Sequence, residues 1–192
     1  MNTPSHFLMT AALAQALPRV PIVRRAFLWG SIAPDIPLWM LSIGGMIYYS
    51  LILGWSRADA ARLMFDDLYF HNPVWIASHN VLHSPLVLLV GIILTWRSRR
   101  RINSWQRWLF WFLTACLFHS TIDILTHVDD GPLLLFPLNW TWRFRSAVSY
   151  YDHRYYGAVF HQFELLLDGV LILYLLSPRL SRLIHQRVFR RY

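Results

Sequence analysis

Histidines and carboxylates recur at helical spacing beside long apolar runs in this sequence. His79 and His83 lie four apart in SHNVLHS, and His119, Asp123 and His127 continue at four-residue steps in FHSTIDILTHVDDG. His161 and Glu164 lie three apart in FHQFE, with Asp168 four further on. Residues three or four apart share one face of an α-helix. Neutral imidazole and carboxylate are the usual ligands of zinc and related divalent ions. An ionised carboxylate beside membrane-like sequence is costly unless it is paired or metal-bound. A buried metal site is the most economical reason for the pattern, and the chemistry it supports is hydrolysis by metal-activated water.

The segment around His119 and Asp123 carries the strongest signal, because both face one way from the end of a long apolar helix and His127 extends the stripe. The bland alternative is a salt-bridged helix end followed by a polar turn of Asp129, Asp130 and Gly131. The His79/His83 pair could chelate one ion from a single helix, or it could be structural. Ser84 and Pro85 open the next apolar run, which puts His83 at a helix entrance. Asp35 stands between Pro34 and Pro37, in a backbone that proline holds extended or turned. His6 in TPSHF is a ligand or a helix-start residue. The candidate metal ligands are thus His6, Asp35, His79, His83, His119, Asp123 and His127. Asp130 and Glu164 are candidates for general base or for completing the ligand shell, and His161 and Asp168 stand nearby in sequence. His71, His153 and His185 lie in polar or basic contexts and read as solvated or structural.

These groups need a scaffold, and the composition says which kind. Of 192 residues, 56% are hydrophobic and 15% charged, against roughly 45–50% and about 25% in soluble domains. That excess points to a membrane protein. The single cysteine, Cys116, lies in an apolar stretch and cannot form an internal disulfide. The net charge of +8 does not point to nucleic acid. Its arginines gather at Arg19, Arg24 and Arg25, at 97–107 and at 179–191, each beside an apolar run. No Gly-rich or aromatic–basic recognition motif accompanies them. They read as cytoplasmic flanks of membrane spans, with anionic headgroups as partners. The start of the chain lacks the charged and apolar regions of a signal peptide.

Four apolar stretches follow, at 38–55, 85–96, 105–125 and 163–177. The first and third reach the about 20 residues that a span needs, and the other two are marginal. With the arginine-rich loop and tail inside, the expectation is four spans with both termini inside and the acidic segments 56–80 and 126–160 outside. One tension follows: Asp35 would then start its span at the inner end, while the other candidates gather at outer ends, so either the site lies at mid-depth or 38–55 is not a simple span. The predicted fold is all-α, a single membrane-embedded bundle of about six helices over 1–192, ending in a basic amphipathic tail at 178–192.

Taken in order, the motifs resemble a family. An early His6 precedes Pro34-Asp35; His83-Ser84 opens a helix; His119-x-x-x-Asp123 has Thr126 nearby; and a Gly-Pro-Leu-Leu…Phe-Pro-Leu stretch fills 131–138. This pattern resembles the bacterial membrane-bound metal-dependent hydrolases of the inner membrane. More distantly it is similar to the helical zinc-dependent phospholipase C fold, where His and Asp from several helices bind three zinc ions. The resemblance covers roughly 1–140, with weaker matching to Glu164. The chain departs from the family in its histidine spacing, with four residues from His79 to His83 where five are usual, and Leu82 where threonine is usual. Its 126–131 turn is also longer and carries His127, Asp129 and Asp130. The resemblance implies one to three divalent ions, zinc by preference, and a lipid-like ester or phosphodiester substrate. The rival expectation is a membrane protein without catalysis, an ion transporter or scaffold holding a structural metal.

Overall fold

The computed structural model describes residues 1–100 and 104–189, and every regular element among them is helical apart from one isolated antiparallel bridge, Leu133–Arg143. The predicted all-α class holds. Nine α-helical segments occur among the described residues, more than the expected six or so, because several long helices are broken or continue through tight turns.

Helix α1 (Thr3–Ala16) and the short α2 (Arg24–Gly30) form an N-terminal hairpin. Helix α3 (Ile36–Met46) continues as a π-helical segment, Ile47–Ile52. The chain then reverses at Gly54, whose φ of +71° needs a glycine. Ser56 caps the start of α4 (Arg57–Arg62) by accepting from the Asp59 N–H. A second π segment, Leu63–Leu68, leads into α5 (Tyr69–His71). Helices α6 (Pro73–Asn80) and α7 (Pro85–Thr95) meet at a 43° bend. Pro85 lacks the N–H that would continue the ladder, so the helix must break before it. Helix α8 (Trp105–Thr126) is unbroken, and α9 (Gly157–Phe189) ends the described chain. The expected tail at 178–192 is helical as far as Phe189, and residues 190–192 lie outside the described set, as do 101–103.

Two helices are long and apolar enough to cross a membrane, Trp105–Thr126 and Gly157–Pro178, and a third span exists if the bent pair Pro73–Asn80 and Pro85–Ser98 counts as one. Of the four expected spans, two or three are thus found among the described residues, and Ile36–Ile52 is a shorter apolar helix. The fourth apolar stretch gains length because its helix begins at Gly157, before the run turns apolar. The first loses it: Ile36–Ile52 is only 17 residues, stopped by the reversal at Gly54.

Helix α1 does not lead inward to a span. It runs parallel to α9, with Asn2 bonded to Glu164, Ser5 to Asp168 and Gln15 to the Tyr174 carbonyl. The chain turns back where Arg107 donates to the Pro21 carbonyl at 2.8 Å. Thus Arg19, Arg24 and Arg25 share one end of the bundle with Arg97, Arg99 and Arg107. Residue 1 lies at the opposite end, contrary to the expected inward N-terminus. Asp35 then lies at the same end as Asp123, which removes the tension in the four-span reading.

Lipid tails are as apolar as leucine, so helices in a bilayer associate by close packing and polar contacts. Both are present. Gly30 of α2 lies so close to α8 that an added Cβ would meet the Phe112 carbonyl oxygen at 2.3 Å and Ala115 Cβ at 2.8 Å. Around this contact Ala26, Phe27, Leu88, Ala115 and Cys116 form the core. Glu164 and Asp168 each would cost about 2.5–3.5 kcal/mol facing lipid near mid-span. Instead they hold Asn2 and Ser5 of the N-terminal hairpin.

Candidate metal centre

Three segments deliver four donors to one point. Helix α8 presents His119 and Asp123 on one face, one turn apart. The α6–α7 break presents His83, because Pro85 frees the turn before it and Ser120 donates to the His83 carbonyl. The turn between α2 and α3 presents Asp35, fixed by Gly30 packing on α8 and by Thr3 donating to Asp35 Oδ2. One ligand atom from each of Asp35, His83, His119 and Asp123 lies within 4.8 Å of all the others. His83 and His119 are fully buried, and Asp123 nearly so.

The hydrogen bonds fix which atoms face the centre. His83 Nδ1 lies 2.8 Å from the His79 carbonyl, and His119 Nδ1 lies 2.9 Å from the Ser31 carbonyl. A carbonyl only accepts, so each Nδ1 carries a proton and each Nε2 is the nitrogen turned to the centre, where it can offer its lone pair to a cation. The two Nε2 atoms nevertheless face each other at 3.2 Å. Two lone pairs at that distance repel unless a positive charge, a proton or a cation, lies between them. Asp35 Oδ1 stands 3.6 and 3.5 Å from these nitrogens, and Asp123 Oδ2 stands 3.6 and 2.9 Å from them. Zinc bonds of about 2.0–2.1 Å in a tetrahedron require ligand–ligand edges of about 3.3–3.4 Å. Five of the six edges run from 2.9 to 3.6 Å, around that length, and the sixth, between the two carboxylates, is within 4.8 Å.

Each carboxylate has its other oxygen held. Asp123 Oδ1 takes hydrogen bonds from His6 Nε2 at 2.9 Å and from the Met1 amino group at 3.1 Å. The Met1 amino group also donates to Thr126 Oγ1 at 3.0 Å. The His6 ring stacks on His119, centroids 3.8 Å apart. Such outer partners orient metal ligands and are worth about 10–100-fold in affinity. His6 therefore stands behind Asp123 rather than among the four donors.

The remaining candidates surround this group. His79 stacks on His83 with centroids 4.1 Å apart, and both its ring nitrogens are buried without a partner. His127 Nε2 is 3.7 Å from Asp123 Oδ1, and its Nδ1 is 3.1 Å from Asp130 Oδ1. Burial opposes a charged His127, but Asp123 and Asp130 outweigh it and raise its pKa above the ordinary histidine value. Burial likewise opposes a charged Asp130, while His127 and Tyr151 hold its pKa below the usual carboxylate range. Glu164 has both oxygens engaged by Asn2, at 2.7 Å each, away from the four donors. His161 is exposed on α9, as are His71 and His153 on their own segments.

Above the donors opens a cavity of about 620 Å³, lined among others by Asp35, His79, Asp123, His127 and Asp130. Its roof is the irregular segment 127–156. The Asn80 side chain pins it, accepting from the Leu133 N–H at 2.7 Å and donating to the Ile76 carbonyl at 2.8 Å. Ser84 Oγ donates to the Phe136 carbonyl at 3.0 Å, and Tyr69 OH to the Asp130 carbonyl at 2.7 Å.

Residues 1–185 match the family described as YdjM inner membrane protein. The chain belongs to that family. This YdjM family member is accordingly a bacterial inner-membrane protein, and its apolar helices agree with that location. No curated protein and no solved structure matches it.

Sequence reasoning missed Thr3, Asn80, Tyr69 and the Ser31 carbonyl, which position the site without standing at helical spacing from its donors. Asn80 and Ser84 flank a histidine directly before a proline, and a polar pair at such a forced helix break was the available signal.

Proposed function

We propose that this chain is a membrane-embedded metal-dependent hydrolase. The observation that carries the reading is the convergence of Asp35, His83, His119 and Asp123, two carboxylates and two imidazoles with lone pairs turned inward, at the floor of an open cavity. Zinc suits the donor set by ligand type and by edge length. A bound divalent ion lowers the pKa of water to about 7 and polarises an ester or phosphoryl oxygen.

The chain's own groups supply the rest. His6 and Thr3 orient the two carboxylates. Of the two expected basic carboxylates, Asp130 lines the cavity, with His127 beside it, and takes the proton of the attacking water. Glu164 anchors α1 and so keeps His6 in place. His79, also lining the cavity with free ring nitrogens, is available to a further ion or to substrate.

Location supports a lipid ester or phosphodiester as substrate. The arginine-rich ends face the cytoplasm by the positive-inside rule, which places the centre at the outer end of α8. Asp123 lies about 27 Å along this helix at 1.5 Å per residue, close to the far boundary of a core about 30 Å thick. A transport path would string polar groups through the depth of the spans, whereas these four meet at one point.

The test is hydrolysis of phospholipids and of simple esters by the purified full chain in lipid nanodiscs, before and after chelation and with zinc restored. Loss on chelation and recovery with zinc is expected. Metal uptake with no hydrolysis of any ester or phosphodiester overturns the enzymatic reading.

A further inference from the structure

The segment that fails to span the membrane poses its own question. No residue of Ile36–Met46 or of Ile47–Ile52 is buried. Met40, Ile43, Leu51 and Ile52 are each more than 60% exposed, at 69, 63, 76 and 67%. Water would penalise such a face, and apolar patches of this extent mark contact surfaces. The limb is 17 residues, about 25 Å at 1.5 Å per residue, too short for a core about 30 Å thick. It returns at Gly54 into a limb carrying Arg57, Asp59, Arg62, Asp66 and Asp67, which cannot enter hydrocarbon. One limb is therefore apolar and the other charged, and α4 packs against both α3 and its π extension.

Three observations say what covers the apolar limb. Helix α3 packs beside α6, the outer half of the bent candidate span, so its free face continues a lipid-facing surface. Trp39, Tyr48 and Tyr49 lie along it and Trp55 follows its reversal, the aromatic types that settle at membrane–water interfaces. The limb begins at Asp35, level with the metal centre at the membrane boundary. Leu38 and Trp39 of this limb, with Phe65 and Phe70 of the returning one, line the cavity.

We propose that the 36–71 hairpin lies in the outer-leaflet interface of the bilayer, apolar limb in the lipid and charged limb in water. The cavity then takes an amphiphile directly from the bilayer, its acyl part along Leu38, Trp39, Phe65 and Phe70 and its polar head at the donors. The docking of the hairpin stands independently; the nature of the head group rests on the hydrolase reading.

The full chain, with Cys116→Ala, carries a bimane fluorophore on Leu51→Cys or on Asp67→Cys in phosphatidylethanolamine–phosphatidylglycerol vesicles. The probe at 51 loses fluorescence when the lipid chains are brominated and keeps it in aqueous iodide; the probe at 67 does the reverse. Quenching at 51 by iodide instead, or by neither agent with cross-linking between copies at 51, overturns the docking. A second arm uses Leu51→Asp with Ile52→Asp, residues outside the cavity. Hydrolysis of vesicle phospholipid falls while that of a dissolved short-chain ester is kept. Equal loss of both refutes delivery from the bilayer, and hydrolysis of neither by the parent chain refutes the hydrolase reading while the quenching still decides the docking.

Discussion

Replacing Asp123 separates metal binding from folding, because its two oxygens do different work. Oδ1 accepts from His6 and the Met1 amino group, and Oδ2 faces His119 Nε2 at 2.9 Å. In Asp123→Asn the amide oxygen keeps the Oδ1 contacts, and the NH₂ turns to Nε2 of His119, an acceptor at hydrogen-bond distance. The metal-free site is then well satisfied, but an amide nitrogen does not ligate. Asp123→Ala leaves His6 Nε2 without its acceptor and the buried ammonium without its counter-charge, with Thr126 Oγ1 still accepting from it. Removing one partner of a buried charged pair costs about 3–5 kcal/mol. At about 2–4 °C per kcal/mol for a chain of this size, Tm falls by about 6–20 °C. Asp123→Asn keeps the Oδ1 hydrogen bonds but loses the charge that pairs the buried ammonium, so its Tm falls below that of the chelated parent but less than in Asp123→Ala. Both variants lose more metal affinity than the about 10–100-fold typical of an outer partner. The assay is elemental analysis and thermal unfolding in detergent, with and without chelator. Retained stoichiometric metal in Asp123→Asn, or equal destabilisation of the two chelated variants, refutes the reasoning.

Three further outcomes follow from the geometry. Gly30→Ala forces α2 away from Phe112 and Ala115, costing about 1–3 kcal/mol by overpacking, and metal content falls with Tm because the Ser31 carbonyl leaves His119. Glu164→Gln loses a charge-assisted acceptor for Asn2 and about 1 kcal/mol or more of stability, yet keeps its metal; a metal-free variant would place Glu164 nearer the centre than its contacts do. His127 has a raised pKa beside an ionised Asp130, so its stabilisation is full below about pH 6.5, the free histidine value, and is lost as pH rises through the folded value. The chelated parent should lose Tm above neutral pH, and His127→Gln should flatten that slope; parallel slopes would contradict the pairing.

Much of the centre was legible because helical spacing is a local property. His119 and Asp123 had to share a face of α8, and Pro85 had to break a helix beside His83. Asp35 was legible as a fixed turn carboxylate. Its contact with α8 was not, since that depends on Gly30 admitting a close approach across more than 80 residues of chain. Glu164 sits at helical spacing from Asp168 in an apolar run, the same signal as a ligand, but α1 takes both as anchors. The run at 163–177 was read as a marginal span and is part of a full-length one, whereas 38–55 falls short, for a related reason. Hydropathy measures an apolar run, whereas a span needs an unbroken helix, and Gly54 stops one helix while Gly157 starts the other early.

The claim beneath all of this is that one cation joins Asp35, His83, His119 and Asp123. X-ray absorption at the zinc edge on the purified full chain tests it most directly. The predicted spectrum has four nitrogen and oxygen neighbours at about 2.0–2.1 Å with the outer-ring scattering of two imidazoles, and one imidazole's worth of that scattering disappears in His83→Ala. A protein that holds no metal after purification and zinc addition, or an ion whose spectrum is unchanged by His83→Ala, would contradict it.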